Sequence, residues 1–162
     1  MSVVEERLSG LGLALPAPFS APAGFELRFE LVRVAGDVAY VSGHGPMDGS
    51  TPLVLGKVGA DVSAEAAYEA ARATALSMFA SLQAELGSLD RVRGWLKALG
   101  LVNCAPGFNQ MPSVINGFSD LVLELWGDDG RHARSAIGVA ELPFDIPVEI
   151  EAVVQLAPYS SP

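Results

Sequence analysis

The sequence predicts an α/β fold in which two helices cover one face of a mixed β-sheet. Three observations carry that expectation. Apolar and polar residues alternate towards both ends of the chain, two long middle stretches have helical spacing, and glycine, proline and aspartate cluster at the joins. The chain has 162 residues, enough for one domain with a real core, and half of them are hydrophobic.

A short helix is expected over Val3 to Leu11, followed by an extended connector with Pro16, Pro18 and Pro22. Residues 1–24 therefore read as an N-terminal extension and 25–158 as the domain proper. From Glu26, Leu27, Phe29 and Leu31 alternate with Glu26, Arg28 and Glu30, which predicts a half-buried first strand. The phase slips at Leu31 and Val32, where a β-bulge is expected. Ala35-Gly36-Asp37 then turns into a second strand, Val38 to Gly43, closing a hairpin.

Ser63 is a good N-cap for a helix from Ala64 to Leu86, with Ala67, Ala71, Ala75, Met78 and Leu82 at three- and four-residue spacing and Gly87 as its stop. Its many alanines point to close packing on the sheet. Val92 to Val102 reads as a long strand weakened or bulged at Gly94, and Met111 to Trp126 as a second helix with Pro112 in its first turn. Arg134 to Ala140 and Val148 to Leu156 complete the sheet as a second hairpin, the latter with Glu149, Glu151 and Gln155 facing away from the helices. One sheet face is left uncovered, and such a face ordinarily meets another subunit, so a closed cyclic oligomer is expected.

Composition narrows the function. The net charge is −9 and basic residues gather no further than pairs such as Arg91 and Arg93, so no nucleic-acid partner is expected. No apolar run approaches a bilayer span, and Met1 to Leu11 has no basic region leading into an apolar one; a cytoplasmic protein without membrane contact is expected. One cysteine, Cys104, excludes an internal disulfide, and with only His44 and His132 as imidazoles no metal site is expected. Cys104 lies in an apolar stretch and reads as a packed thiol rather than a nucleophile. Phosphate loop, dinucleotide fingerprint and Gly-x-Ser-x-Gly elbow are all missing, so no cofactor is expected.

Arg134 is the strongest candidate for chemistry. Small residues, Ala136, Gly138 and Ala140, follow it on its own strand face and would leave a hollow for a carboxylate beside a planar guanidinium. The alternative is a structural ion pair with Glu149 or Glu151. Glu149, if partly desolvated, would serve as a general base; solvation or pairing is the alternative. His44, between Gly43 and Gly45, could donate to a ligand, and the low-bulk loop Ser42 to Pro46 lets backbone approach one closely or is a plain turn.

Two segments resemble a known family. Val41-Ser42-Gly43-His44-Gly45-Pro46 is similar to the SGQ-x-P segment of RidA/YjgF proteins. Ala133-Arg134-Ser135-Ala136, Ala140-Glu141-Leu142-Pro143 and Val148 to Ala152 resemble their C-terminal ARS, VA-x-LP and VEIEA signature in order and spacing. The resemblance implies a chorismate-mutase-like fold, a homotrimer and clefts between subunits that take small carboxylate-bearing metabolites. Its enzymatic branch hydrolyses 2-imino or enamine acids to 2-keto acids and ammonia. Carried over, Arg134 would bind the carboxylate, Glu149 would orient water, and Ser42, Gly43 and Asn116 would line the cleft. The sequence departs from that branch at Ala136 (usually Cys), Phe29 (usually Tyr) and His44 (usually Gln). A non-catalytic binding module, a ribonuclease or translation inhibitor, and a chaperone-like role are the other activities that the resemblance brings with it.

Overall fold

Ser2 starts helix α1 (Val3–Gly10): its hydroxyl accepts from Glu5 N while the Glu5 carboxylate accepts from Ser2 N, a reciprocal cap. The computed structural model describes residues 2–158. Asp90 holds α1 to the body by accepting from Val3 N and Val4 N at 2.9 and 3.0 Å, and Val4 and Leu8 enter the main core.

Strands β1 (Val32–Ala35) and β2 (Val38–His44) form the first hairpin, and β3 (Met47–Asp48) with β4 (Thr51–Pro52) a minor one that the sequence did not announce. Helix α2 (Ala64–Leu86) follows, capped by the Ser63 hydroxyl and ended by Gly87 in the left-handed region. Then come β5 (Val92–Asn103), α3 (Met111–Trp126), β6 (Ala133–Val139) and β7 (Val148–Leu156). Both long helices and β7 have the bounds that periodicity and capping predict. The expected weak point at Gly94 is real: β5 slips against β7 between Val92 and Gly94, and again between Trp95 and Lys97.

The sheet order is β1-β2-β7-β5-β6, antiparallel except for the β5–β6 pair. Helices α2 and α3 cover one face. They cross where Gly117 meets α2: a Cβ there would lie 2.0 Å from Tyr68 O, so only glycine permits the approach. Tyr68 Oη donates to Asp120 at 2.8 Å and Arg72 pairs with Glu124 at 2.8 Å beside the crossing. Between helices and sheet, Phe79, Trp95, Phe118 and Trp126 stack edge to face with ring centres 5.1–5.7 Å apart.

Three expectations need correction. The first strand begins at Val32, not Glu26; Glu26 to Leu31 lies outside the sheet and bends at Phe29 and Leu31, with Phe29 57% exposed. The alternation is real, but the segment carries no ladder hydrogen bonds and its apolar residues do not face the sheet core. The bulge expected at Leu31 and Val32 is accordingly the start of a strand, and the register break lies in β2 instead. Strands β6 and β7 are not a hairpin: β5 lies between them, because the strand entering parallel from α3 takes the outer edge. The pairing of Arg134 with Glu149 or Glu151 across adjacent strands is therefore unavailable.

Candidate functional site

Strand β2 slips by one residue against β7: Val41 stands opposite Ala152, but His44 stands opposite Ile150. The extra residue bulges at Ser42 and Gly43 and re-aims this end of the strand. Gly43 passes directly over Glu149, and a Cβ on Gly43 would lie 2.8 Å from Glu149 Cδ. Glycine leaves the carboxylate this position; a side chain on residue 43 would push it aside. Glu149 is half-buried, and among the described residues no hydrogen bond or ion pair reaches its carboxylate. Burial first, and the charge of Glu151 second, raise its pKa above the ordinary glutamate value.

Beside Glu149 lies a cavity of about 250 Å³ walled mainly by Phe19, Phe25, Leu27, Phe29, Leu31, Met47, Phe144 and Ile146, with Gly43 and His44 at one side. Here the alternation of Leu27, Phe29 and Leu31 finds its purpose: the three line one side of this hollow. Ser42 pins the segment, its hydroxyl donating to Glu30 O at 2.7 Å and its amide to Leu31 O at 2.9 Å. Across the cavity Phe144 and Asp145 both have left-handed backbones (φ 59° and 56°), a conformation that surrounding contacts must hold in place. Buried Asn103 supplies them, its amide donating to Asp145 Oδ1 at 3.3 Å and Ile146 O at 3.2 Å. Lys57 donates to Asn103 Oδ1 and to Ala140 O and pairs with Glu141 at 3.2 Å, tying down the loop before this turn.

His44 is buried, and both ring nitrogens are engaged inside the protein. Nδ1–H donates to Ser42 O at 2.7 Å, which leaves Nε2 to accept from the Ser81 hydroxyl at 2.9 Å. The tautomer follows from these partners. Burial lowers the His44 pKa, so the ring is held neutral as a brace under the bulge.

A second group of residues gathers at the β6 edge. Arg134 Nη1 donates to Asn116 Oδ1 at 2.9 Å and to Ser119 Oγ at 3.0 Å, and Nη2 to Pro112 O at 3.3 Å. All three acceptors are uncharged and come from α3. Three of its five N–H groups are thus used, and no carboxylate pairs with it among the described residues. Partial burial lowers its pKa, with Asp120 acting in the opposite direction. Ser119 in turn donates to His132 Nε2 at 2.9 Å, and His132 Nδ1–H donates to Gly130 O at 2.7 Å. The six residues Asn116, Ser119, Leu123, Arg131, His132 and Arg134, with Gly130, line a shallow hollow.

The structure divides the sequence candidates between these places. Ser42, Gly43, His44, Phe29 and Glu149 gather around the bulge; Arg134 and Asn116 gather at the β6 edge. Ala136 packs on the helix side of β6 and lines neither. The two places lie on opposite faces of the sheet. Arg134 is in register with Ala98 and through it with Ala152, on the helix side, whereas Glu149 is in register with Leu101 and Ile137, on the uncovered side. Sequence reasoning missed Ser119, Phe144 and Asn103. Ser119 had a signal, since it stands three residues after Asn116 on one helix face. Phe144 and Asn103 had none, because a left-handed Phe and its buried amide brace leave no local pattern.

Comparison with known proteins agrees with this architecture. Residues 5–151 match the model of the YjgF/chorismate-mutase-like family, whose description carries an endoribonuclease label. Protein TCP17 of Trypanosoma cruzi is 40% identical over 154 residues, covering 94% of each chain. The crystal structure of Atu1372 from Agrobacterium tumefaciens, a protein of unknown function, is 38% identical and superimposes with a TM-score of 0.84 over 95% of this chain and 92% of that one. TdcF from E. coli, solved with bound serine, shares the fold at 20% identity, with a TM-score of 0.58 over 87% of this chain and 94% of that one.

Proposed function

The chain belongs to the YjgF/chorismate-mutase-like family, and from that premise we propose that it hydrolyses 2-imino or enamine acids to 2-keto acids and ammonia in clefts between subunits of a trimer. The observation that carries this reading is the separation of Arg134 from Glu149. One place offers an anion receptor beside an imidazole, His132, whose two ring nitrogens are already engaged; the other offers a poised carboxylate with no Lys or Arg on the cavity lining. Each completes the other only when the β6 edge of one subunit meets the bulge of the next. The uncovered sheet face supports such an assembly, with Tyr40 53% and Ile137 47% exposed on it.

The chemistry asks little of the protein beyond placement. An imine carbon is already electrophilic, so no covalent intermediate is needed. The two remaining N–H groups of Arg134 hold the substrate carboxylate. Glu149, its pKa raised by burial, takes a proton from water as the oxygen bonds to the imine carbon. The same proton then passes to nitrogen to give a carbinolamine. Glu149 next takes the hydroxyl proton and delivers it to nitrogen as the C=O forms and the C–N bond breaks, which releases ammonia and the keto acid. Serine, bound in TdcF, has the carboxylate and α-nitrogen that this arrangement would recognise. No step needs a metal or cofactor.

The endoribonuclease label finds little support in the charge. An RNA surface concentrates Lys and Arg, whereas here Lys and Arg number ten against nineteen acids, and Arg28, Lys57, Arg72 and Arg131 are paired with carboxylates. Ammonia and keto-acid release from freshly generated imino acids tests the proposal. Wild type should accelerate release, and Arg134→Ala and Glu149→Ala should not while keeping the same assembly. An inert wild type that still binds carboxylates through Arg134 would make it a binding module.

A further inference from the structure

We infer that the cavity beside Glu149 receives the side chain of the substrate and selects large apolar, above all aromatic, 2-imino acids over small ones. The inference rests on the hydrolase reading for the word substrate, but the cavity itself makes a separate, testable claim about ligand shape.

Size comes first. An apolar cavity of about 150 Å³ holds benzene. The cavity here is about 250 Å³, which accommodates a phenyl ring with its methylene. A methyl side chain would leave most of that volume to water against Phe25, Leu27, Phe29 and Phe144, which is unfavourable in proportion to the apolar area left wet. Charge comes second. Glu149 and His44 are the ionisable groups on the lining, and His44 has both ring nitrogens occupied. A charged side chain entering the cavity would thus lose its water and meet no opposite charge beyond the carboxylate that the reaction uses. A polar one would also find the hydroxyl of Ser77, which is buried and has no hydrogen-bond partner among the described residues.

The cavity is also preformed. Its N-terminal wall is fixed at both ends: Ala17 N donates to Asp48 Oδ1 at 2.9 Å and Ala17 O accepts from Gly49 N at 3.1 Å, while Ser42 anchors Glu30 and Leu31. The facing wall is the Phe144 turn braced by Asn103. A ligand entering between two anchored walls gains its burial energy without first ordering a loop.

The probes are the two keto-acid products phenylpyruvate and pyruvate, titrated calorimetrically into wild-type protein, alongside turnover of the corresponding imino acids. Burying a phenyl side chain predicts phenylpyruvate binding about 10- to 100-fold more tightly than pyruvate, with kcat/KM in the same order. Ala21→Trp, which projects a ring into the cavity from its N-terminal wall, should shrink that ratio. Equal affinities for the two acids in the wild type overturn the inference, whatever the turnover. A preserved affinity ratio with no turnover of either imino acid overturns the hydrolase reading and leaves the cavity's selectivity standing.

Discussion

Glu149 lies against a glycine, beside apolar walls, with no hydrogen-bond partner among the described residues; Arg134 is gripped at three points by neutral acceptors from α3. The first environment destabilises a charge, the second fixes a charge in place without neutralising it. A carboxylate destabilised in this way is readier to take a proton, and a guanidinium supported in this way keeps its attraction for an anion. On the proposed function, the contrast assigns the two residues to different parts of one reaction, proton transfer and anchoring.

If that division of labour is right, the two residues should fail in different ways. Glu149→Gln should lower kcat by about 10²- to 10⁴-fold, the usual worth of a general base, while keto-acid affinity is kept or improved. Arg134→Lys keeps the charge but loses the planar fork, and should weaken keto-acid binding by about 10- to 100-fold in calorimetry. Equal losses of kcat and affinity in both variants would erase the contrast.

Asn103→Ala probes the cavity wall beside Glu149. Leaving Asp145 and the Ile146 carbonyl without their donor should cost about 1–3 kcal/mol in a urea titration and reduce any preference for bulky ligands, because Phe144 loses its brace. The smallest effects concern pH. Since the Glu151 charge helps to raise the Glu149 pKa, Glu151→Gln should move the acidic limb of the kcat/KM profile to lower pH. A carboxyl whose pKa is raised in the folded state binds its proton more tightly there than when unfolded. Stability then falls as pH rises from the usual glutamate value through the folded one. Glu149→Gln should therefore raise Tm at neutral pH and leave it unchanged in acid below that range.

The sequence was most legible where structure is local. Ser63 and Gly87 bracket α2, Pro112 and Gly127 bracket α3, and the alternation of Val148 to Leu156 places Glu149 on the uncovered face. What failed depended on partners far along the chain. The order of β5, β6 and β7 is a tertiary outcome, and the alternation of Leu27, Phe29 and Leu31 fits a strand or a cavity wall equally well until the opposite wall is known. The site residues were found as types, but their distribution over two faces needed the register.

That distribution yields the most direct test. Arg134→Ala and Glu149→Gln, each inactive alone, are unfolded together in equal amounts and refolded. If every cleft takes Arg134 from one subunit and Glu149 from the next, about a quarter of the clefts in random trimers hold both intact residues, and imino-acid hydrolysis should return to about a quarter of the wild-type rate. If the mixed protein assembles normally and stays as inactive as its parents, the two residues do not meet across a subunit boundary, and the shared cleft is wrong.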